Sequence, residues 1–250
     1  MMRVISDTIA SIIMVSALIS LMLIAISVVI PSVIYAFKNM EYNYLRSTFI
    51  QIAQFIPLAL RAGSMSTSIT PTAGYGYGVI GALEVYLNNT LVYMTPCMAF
   101  QAGIANLPLG GRILVYGSDN LLVNDTRLLA RVVSYYDKER NMGIIELDTC
   151  RVYYIIEPTE VGTTIAYLVR LNIINLTTIV RKSTGDRTSI AISMFGAPSI
   201  VEYTGLNLTI IYREKSGVIT RRTYMRDVYP EYTGGDIRVQ IITYNMRIEI

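Results

Sequence analysis

The sequence predicts an α+β chain: a long N-terminal hydrophobic α-helix followed by a mainly antiparallel, β-sandwich-like globular head. Three observations predict it. No charged residue occurs from Thr8 to Phe37. Between Tyr42 and Ala59 apolar residues recur at helical spacing. After about residue 79, short segments rich in β-branched residues and Tyr alternate with turn signals. The division that follows is a hydrophobic and amphipathic helix over 1–62, a linker over 63–78 and a β-rich head over 79–250.

The uncharged stretch is about 30 residues, roughly 45 Å as a helix. A hydrocarbon core of about 30 Å needs only about 20 apolar residues, so the run exceeds a minimal membrane anchor. Its candidate packing positions include Ile12, Met14, Leu21 and Ala25, the last between Ile24 and Ile26. A secretory signal has an apolar region of about 7–15 residues and then a small-residue cleavage site. This run is longer and no such site follows, so the segment is expected to stay in the protein. Arg3 precedes it, and Lys38, Glu41 and Arg46 follow, so the charge balance does not set an orientation. Pro31 removes one backbone donor and is expected to break or kink the run.

Tyr42, Leu45, Phe49, Ile52, Ile56 and Ala59 then form one stripe at steps of three and four, widened by Ile50 and Phe55. Asn43, Arg46, Ser47, Gln51 and Gln54 fill the other faces. Pro57 is expected to kink or end the helix near Ile56. The stripe packs either on the chain's own β-domain or against other subunits. From Gly63 to Gly78, Ser, Thr, Gly and Pro dominate, which reads as loop. The Gly74-Tyr75-Gly76-Tyr77-Gly78 run is not a phosphate loop, because no Lys-Ser/Thr pair follows it.

Strands are expected at 82–87, 112–116, 128–136, 143–147, 151–157, 163–172, 188–195, 206–213, 218–225 and 237–250. Turns fall at Asn88-Asn89, Gly110-Gly111, Ser183-Thr184-Gly185-Asp186, Lys215-Ser216-Gly217 and Gly234-Gly235. Asp137-Lys138-Glu139-Arg140 reads as a charged hairpin tip.

The 250 residues are 52% hydrophobic and 16% charged, with a net charge of +3 and no basic block. Phosphate backbones need clustered Lys and Arg, so nucleic acid is not an expected partner. There is no His and no Trp, while Tyr reaches 19. Without His the chain lacks the commonest general base and metal ligand, and no catalytic, cofactor or metal site is expected. Glu157 with Glu160, and Asp137 with Glu139, are carboxylates close in sequence, but each pair sits beside a turn, where solvated charges are ordinary. Cys97 and Cys150 belong to no CxxC pair; they are either one disulfide or two small buried residues. Four Asn-x-Ser/Thr sequons, at Asn88, Asn124, Asn175 and Asn207, all follow the hydrophobic stretch, the distribution of a translocated, N-glycosylated head.

The start, Arg3-Val4-Ile5-Ser6-Asp7-Thr8-Ile9-Ala10-Ser11-Ile12-Ile13-Met14-Val15, resembles that of archaeal type IV pilins and archaellin-like proteins. The resemblance covers roughly the first 35 residues. It implies a membrane helix that a prepilin peptidase frees on the cytoplasmic side and that assembly machinery moves into a filament core. The implied cut lies between Val4 and Ile5, where Val4 occupies a position usually held by Gly, Ala or Ser. Asp7 is then an acidic group near the mature N-terminus, able to pair during assembly. The partners so implied are identical subunits in an open helical homopolymer at the cell surface, serving adhesion or motility. The alternative is a single-pass anchored surface protein or accessory subunit with a binding ectodomain.

Overall fold

The computed structural model describes the backbone of residues 2–69, 74–161, 164–179, 188–230, 232 and 236–249, and the side chains of 10–66, 74–159, 166–177, 190–219, 221–230, 232 and 236–249. The expected turns at Ser183–Asp186 and Gly234-Gly235 lie outside the described residues, as do the side chains of Val4, Ile5, Asp7 and Glu160. The chain forms two compact units, Met1–Tyr44 and Leu45–Ile250. The head unit thus begins inside the helical sequence, well before residue 79.

Helix α1 (Met2–Ala62) passes through both prolines, so neither ends it. A proline withholds one donor, at Pro31 the one that would reach the Ser27 carbonyl, and nearby Ser hydroxyls bond other carbonyls of the same turns. Around Pro31, the Ser32 hydroxyl donates to the Val28 carbonyl at 2.8 Å and the Ser27 hydroxyl to the Ile24 carbonyl at 3.0 Å. The helix stops one turn after Pro57, at Gly63. Gly63 has φ +86°, and its N–H bonds the Ala59 carbonyl at 2.8 Å, the left-handed glycine cap that Cβ-bearing residues adopt poorly.

In the head unit the predicted stripe is buried. Leu45, Phe49, Ile52, Ile56 and Ala59 are 0% exposed, while Asn43, Arg46, Ser47, Gln51 and Gln54 all face solvent. Ile56→Val is therefore expected to lower the stability of the head by about 1 kcal/mol, whereas Ile24→Val leaves it unchanged; urea unfolding of both variants checks the contrast.

The strands are β1 (Ser64–Ile69), β2 (Gly74–Leu87), β3 (Thr90–Ala105), β4 (Ile113–Tyr116), β5 (Leu122–Val123), β6 (Arg131–Asp137), β7 (Met142–Asp148), β8 (Val152–Val161), β9 (Thr164–Ile179), β10 (Thr188–Met194), β11 (Ser199–Gly205), β12 (Leu208–Glu214), β13 (Ile219–Tyr224) and β14 (Ile237–Glu249), with a short helix α2 (Met225–Val228) before the last. One sheet runs β1-β10-β14-β9-β8-β5, with β11 also on β14. The second runs β13-β12-β2-β3-β7-β6-β4. Among the described residues, only the β14/β9 and β5/β8 ladders are parallel. The two sheets share one core, in which Leu83, Val85 and Ile210 meet Val169, Leu171 and Val239.

The stretch expected as linker is instead largely strand: β1 pairs β10, and the Gly-x-Gly run opens β2. The tight Asn88-Asn89 turn is as the sequence predicts. Both residues have positive φ (51° and 64°), as a two-residue hairpin with the twist of its strands requires. Strand β3 was not expected. It is buried on both faces: Cys97 points into the intersheet core, and Phe100 stacks on Phe49 of α1 with ring centroids 5.0 Å apart. Its Pro96 stands opposite Ala82 of β2, and pairing with β7 starts only at Ala99, so the other edge of β3 is open at Pro96, a position where a strand tolerates proline.

Candidate functional site

Within the first unit, the described residues from Ala10 to Phe37 carry no charge and face outward. Ile12, Met14, Leu21 and Ile24 are 63%, 67%, 63% and 60% exposed, and Ala25 and Pro31 are also exposed. Proteins seldom leave large contiguous apolar surface in water; where they do, it marks a membrane or protein contact. Three hydroxyls of the stretch are paired with the helix backbone. The Ser20 hydroxyl donates to the Ser16 carbonyl at 2.9 Å, and Ser27 and Ser32 donate to carbonyls of the preceding turn. Such a rod meets hydrocarbon or another apolar helix without an unpaired hydroxyl at these positions. Among the described residues, α1 is the one helix long and apolar enough to cross a membrane. The backbone at Val4, Ile5 and Asp7 is helical, so the implied processing site and the acidic group lie on the same helix.

The head carries a buried charge network that the sequence reading missed. Arg131 donates from Nε and Nη2 to Asp148 Oδ2 at 2.8 and 2.7 Å, and from Nη1 to Asp119 Oδ1 at 2.8 Å. Arg151 donates from Nε to the Ser118 carbonyl at 2.9 Å and from Nη1 to the Cys150 carbonyl at 2.7 Å, with Asp148 Oδ1 3.5 Å away. Arg221 completes the group at Asp119 Oδ1, 3.3 Å. Burial opposes the Arg131 cation, yet Asp148 and Asp119 more than offset it and hold its pKa above the ordinary value. Burial pulls the pKa of Arg151 down. The network ties the 118–120 loop to the β6–β7 pair of the second sheet. Gly117 makes that loop possible: its φ is +88°, and a Cβ there would sit 2.2 Å from the Ala130 carbonyl oxygen. A signal for part of this network was present. The hairpin centred on Lys138-Glu139-Arg140 places Arg131 directly opposite Asp148.

A neighbouring cleft of about 410 Å³ is lined by Ile80, Arg112, Tyr135, Tyr136, Glu146, Tyr212 and Glu214. Glu146 is 4% exposed. It accepts hydrogen bonds from Gln101 Nε2 at 2.7 Å, from the Tyr135 hydroxyl at 3.1 Å and from Arg112 Nη2 at 3.5 Å. Burial raises the pKa of Tyr135, and Glu146 adds to the rise. The arrangement reads as structural pairing. On the outer face of the same sheet Arg213 clasps Glu84 at 2.8 and 3.1 Å.

The Arg213 hydrogen bonds hold the Glu84 carboxyl below its ordinary 4.5, and the Arg131 hydrogen bond holds Asp119 below 3.8. A carboxyl whose folded pKa is depressed stabilises the fold above its unfolded pKa, and that contribution is lost as pH falls through the folded value. Head stability is thus expected to be level above about pH 5 and to decline progressively below it, a profile that urea midpoints across pH will check.

Of the other carboxylates singled out in the sequence, Glu157 and Asp137 are engaged. Glu157 meets Arg170 at 2.8 Å, and Asp137 Oδ1 accepts the N–H groups of Glu139 and Arg140 at the tip of the β6–β7 hairpin. Among the described residues no group of three or more acidic or Cys side chains is placed to hold a metal ion. Of the sequon residues, Asn88, Asn124 and Asn207 are exposed. Asn88 Oδ1 accepts the N–H groups of Leu206 and Asn207 at 2.9 and 3.1 Å. Asn175 is half-buried, with its Nδ2 donating to Asn245 Oδ1 at 3.0 Å. Cys97 and Cys150 are both buried in the intersheet core as free thiols. Compared with protein-family models, curated proteins and solved structures, the chain matches none.

Proposed function

We propose that this chain is the structural subunit of an extracellular type IV pilus-like filament, with the apolar N-terminal part of α1 in the filament core and the β-rich head on the surface. The observation that carries the reading is the outward apolar surface of 10–37, with large side chains 45–67% exposed. A span of about 20 residues would serve an anchor; the uncharged stretch is half as long again. Before assembly the helix resides in the cell membrane. A subunit leaves the bilayer only if its neighbours replace the lipid's apolar contacts, at about 25 cal/mol per Å² buried. Contacts between identical subunits along one direction are heterologous and open, and they propagate a helix rather than closing a ring.

In this reading a prepilin peptidase cuts between Val4 and Ile5, and Asp7 then lies close to the new N-terminus, where a helix dipole favours an acidic group. The head serves adhesion or motility and carries N-glycans, with exposed Asn124 and Asn207 as the best-presented acceptors. Peptide mass spectrometry of the secreted head is expected to find glycan at Asn124 or Asn207 before Asn175, whose amide is engaged.

A second reading is a single-pass anchored surface protein. It is favoured by Val4 at the implied cleavage position and by the fact that one apolar helix suffices for a membrane span. Fractionation separates the two: a filament subunit is recovered in sheared extracellular material, an anchored protein only with membranes.

A further inference from the structure

Cys97 lies on β3 of the second sheet, and Cys150 sits two residues before β8 of the first. They are 3% and 4% exposed and members of the same intersheet core, and the antiparallel β3–β7 register sets Ala99 opposite Asp148, so that continued by two residues it brings Cys97 opposite Cys150. The pairing joins the sheets at the position where the chain crosses from β7 to β8. It is also fixed from the polar side: the Cys150 N–H donates to Asp148 Oδ1 at 3.2 Å, and its carbonyl accepts Arg151 Nη1.

We propose that Cys97 and Cys150 are joined by a disulfide in the mature protein, a covalent bolt between the two sheets. The proposal rests on the extracellular location argued above, because an oxidising compartment lets such bonds persist. In the reaction one Cys thiolate attacks the disulfide of an exchange partner, a thiol–disulfide oxidoreductase or a small-molecule disulfide, and one partner thiolate leaves. The second Cys then attacks the mixed disulfide. The chain loses two protons and two electrons, one S–S bond forms, and the partner disulfide is reduced to two thiols. The bond forms before the head closes. Once folded, neither sulfur is open to a bulky partner, and burial pushes the Cys150 thiol up, away from the reactive thiolate. The same burial shields the finished bond from reductants. The loop it closes is roughly fifty residues long, a length at which cross-linking restricts the unfolded chain substantially.

The test uses the full chain in detergent, prepared in two ways: from cells, and by refolding from denaturant in a glutathione redox buffer. Each sample is denatured, alkylated without reductant and digested. Expected in both is a Cys97–Cys150 linked peptide, lighter by two hydrogens than the two thiol peptides together, with no alkylated Cys. Free, alkylated Cys in both samples overturns the disulfide. A bond in the refolded chain with free thiols in the cellular protein also overturns it for the mature protein, and the oxidising location with it, while leaving the geometry intact. As a second readout, reductant should lower the urea midpoint of the wild-type head and leave that of Cys97→Ser and of Cys150→Ala unchanged. A wild-type midpoint insensitive to reductant contradicts the proposal.

Discussion

Asp148→Ala should destabilise the head by about 3–5 kcal/mol, the usual consequence of removing one partner from a buried ion pair. The side chain is fully buried, and Arg131 meets it through two hydrogen bonds at 2.7 and 2.8 Å. Without Asp148, Arg131 keeps only the exposed Asp119, and Arg151 loses its nearest carboxylate. A guanidinium does not escape by deprotonating. Since domains of this size are stable by only about 5–15 kcal/mol, the variant is expected to unfold at a much lower urea concentration. The double variant Arg131→Met, Asp148→Leu should recover most of the loss, because apolar pairs of similar volume often replace buried ion pairs without penalty. A single-variant loss below about 1 kcal/mol would place the pair in the class of surface salt bridges and contradict the account of the network. Gly117→Ala should act on the same network by displacing Ser118 and Asp119, and it should lower stability without touching any charge.

Leu21→Lys should remove the protein from membranes and from filaments alike while leaving the head folded. Leu21 lies near the midpoint of the uncharged stretch and is 63% exposed. A Lys at the centre of a membrane helix costs about 2.5–3.5 kcal/mol on insertion scales. In a core of packed helices the cation would be repeated in every subunit, each needing a partner that the stretch does not contain. Gln51→Lys is the matched control, a solvent-facing position on the head-packed part of the same helix, and should be neutral. The two variants are compared by membrane flotation and by urea unfolding of the head. Unimpaired flotation of Leu21→Lys would show that the surface of 10–37 is not the contact surface.

Much of this architecture was readable from periodicity. The stripe of Leu45, Phe49, Ile52, Ile56 and Ala59 was placed correctly because burial on one side imposes one spacing. Asn88-Asn89 was legible because few residue pairs accept two positive φ values. Strand β3 was not legible, since burial on both faces removes the alternation that marks a strand, and it contains Pro96, a residue that strand interiors mostly exclude. Strand β1 and the start of β2 read as linker because Ser, Thr and Gly carry no apolar pattern; pairing with β10 and β3 supplies what local propensity does not. The helix continues past Pro31 and Pro57 because a long helix with its backbone otherwise satisfied tolerates one missing donor at each. The charge network joins residues from 119 to 221, and no local spacing reports so distant a convergence, although the hairpin register did contain the Arg131–Asp148 pair.

The central claim is that the apolar helix becomes the core of a homopolymer. Shearing cells, collecting the high-speed pellet of the supernatant and sequencing the protein's N-terminus by mass spectrometry tests it most directly. The account predicts this chain in the filament fraction, beginning at Ile5. Recovery only with membranes, with Met1 intact and filaments lacking this chain under every growth condition, would contradict it.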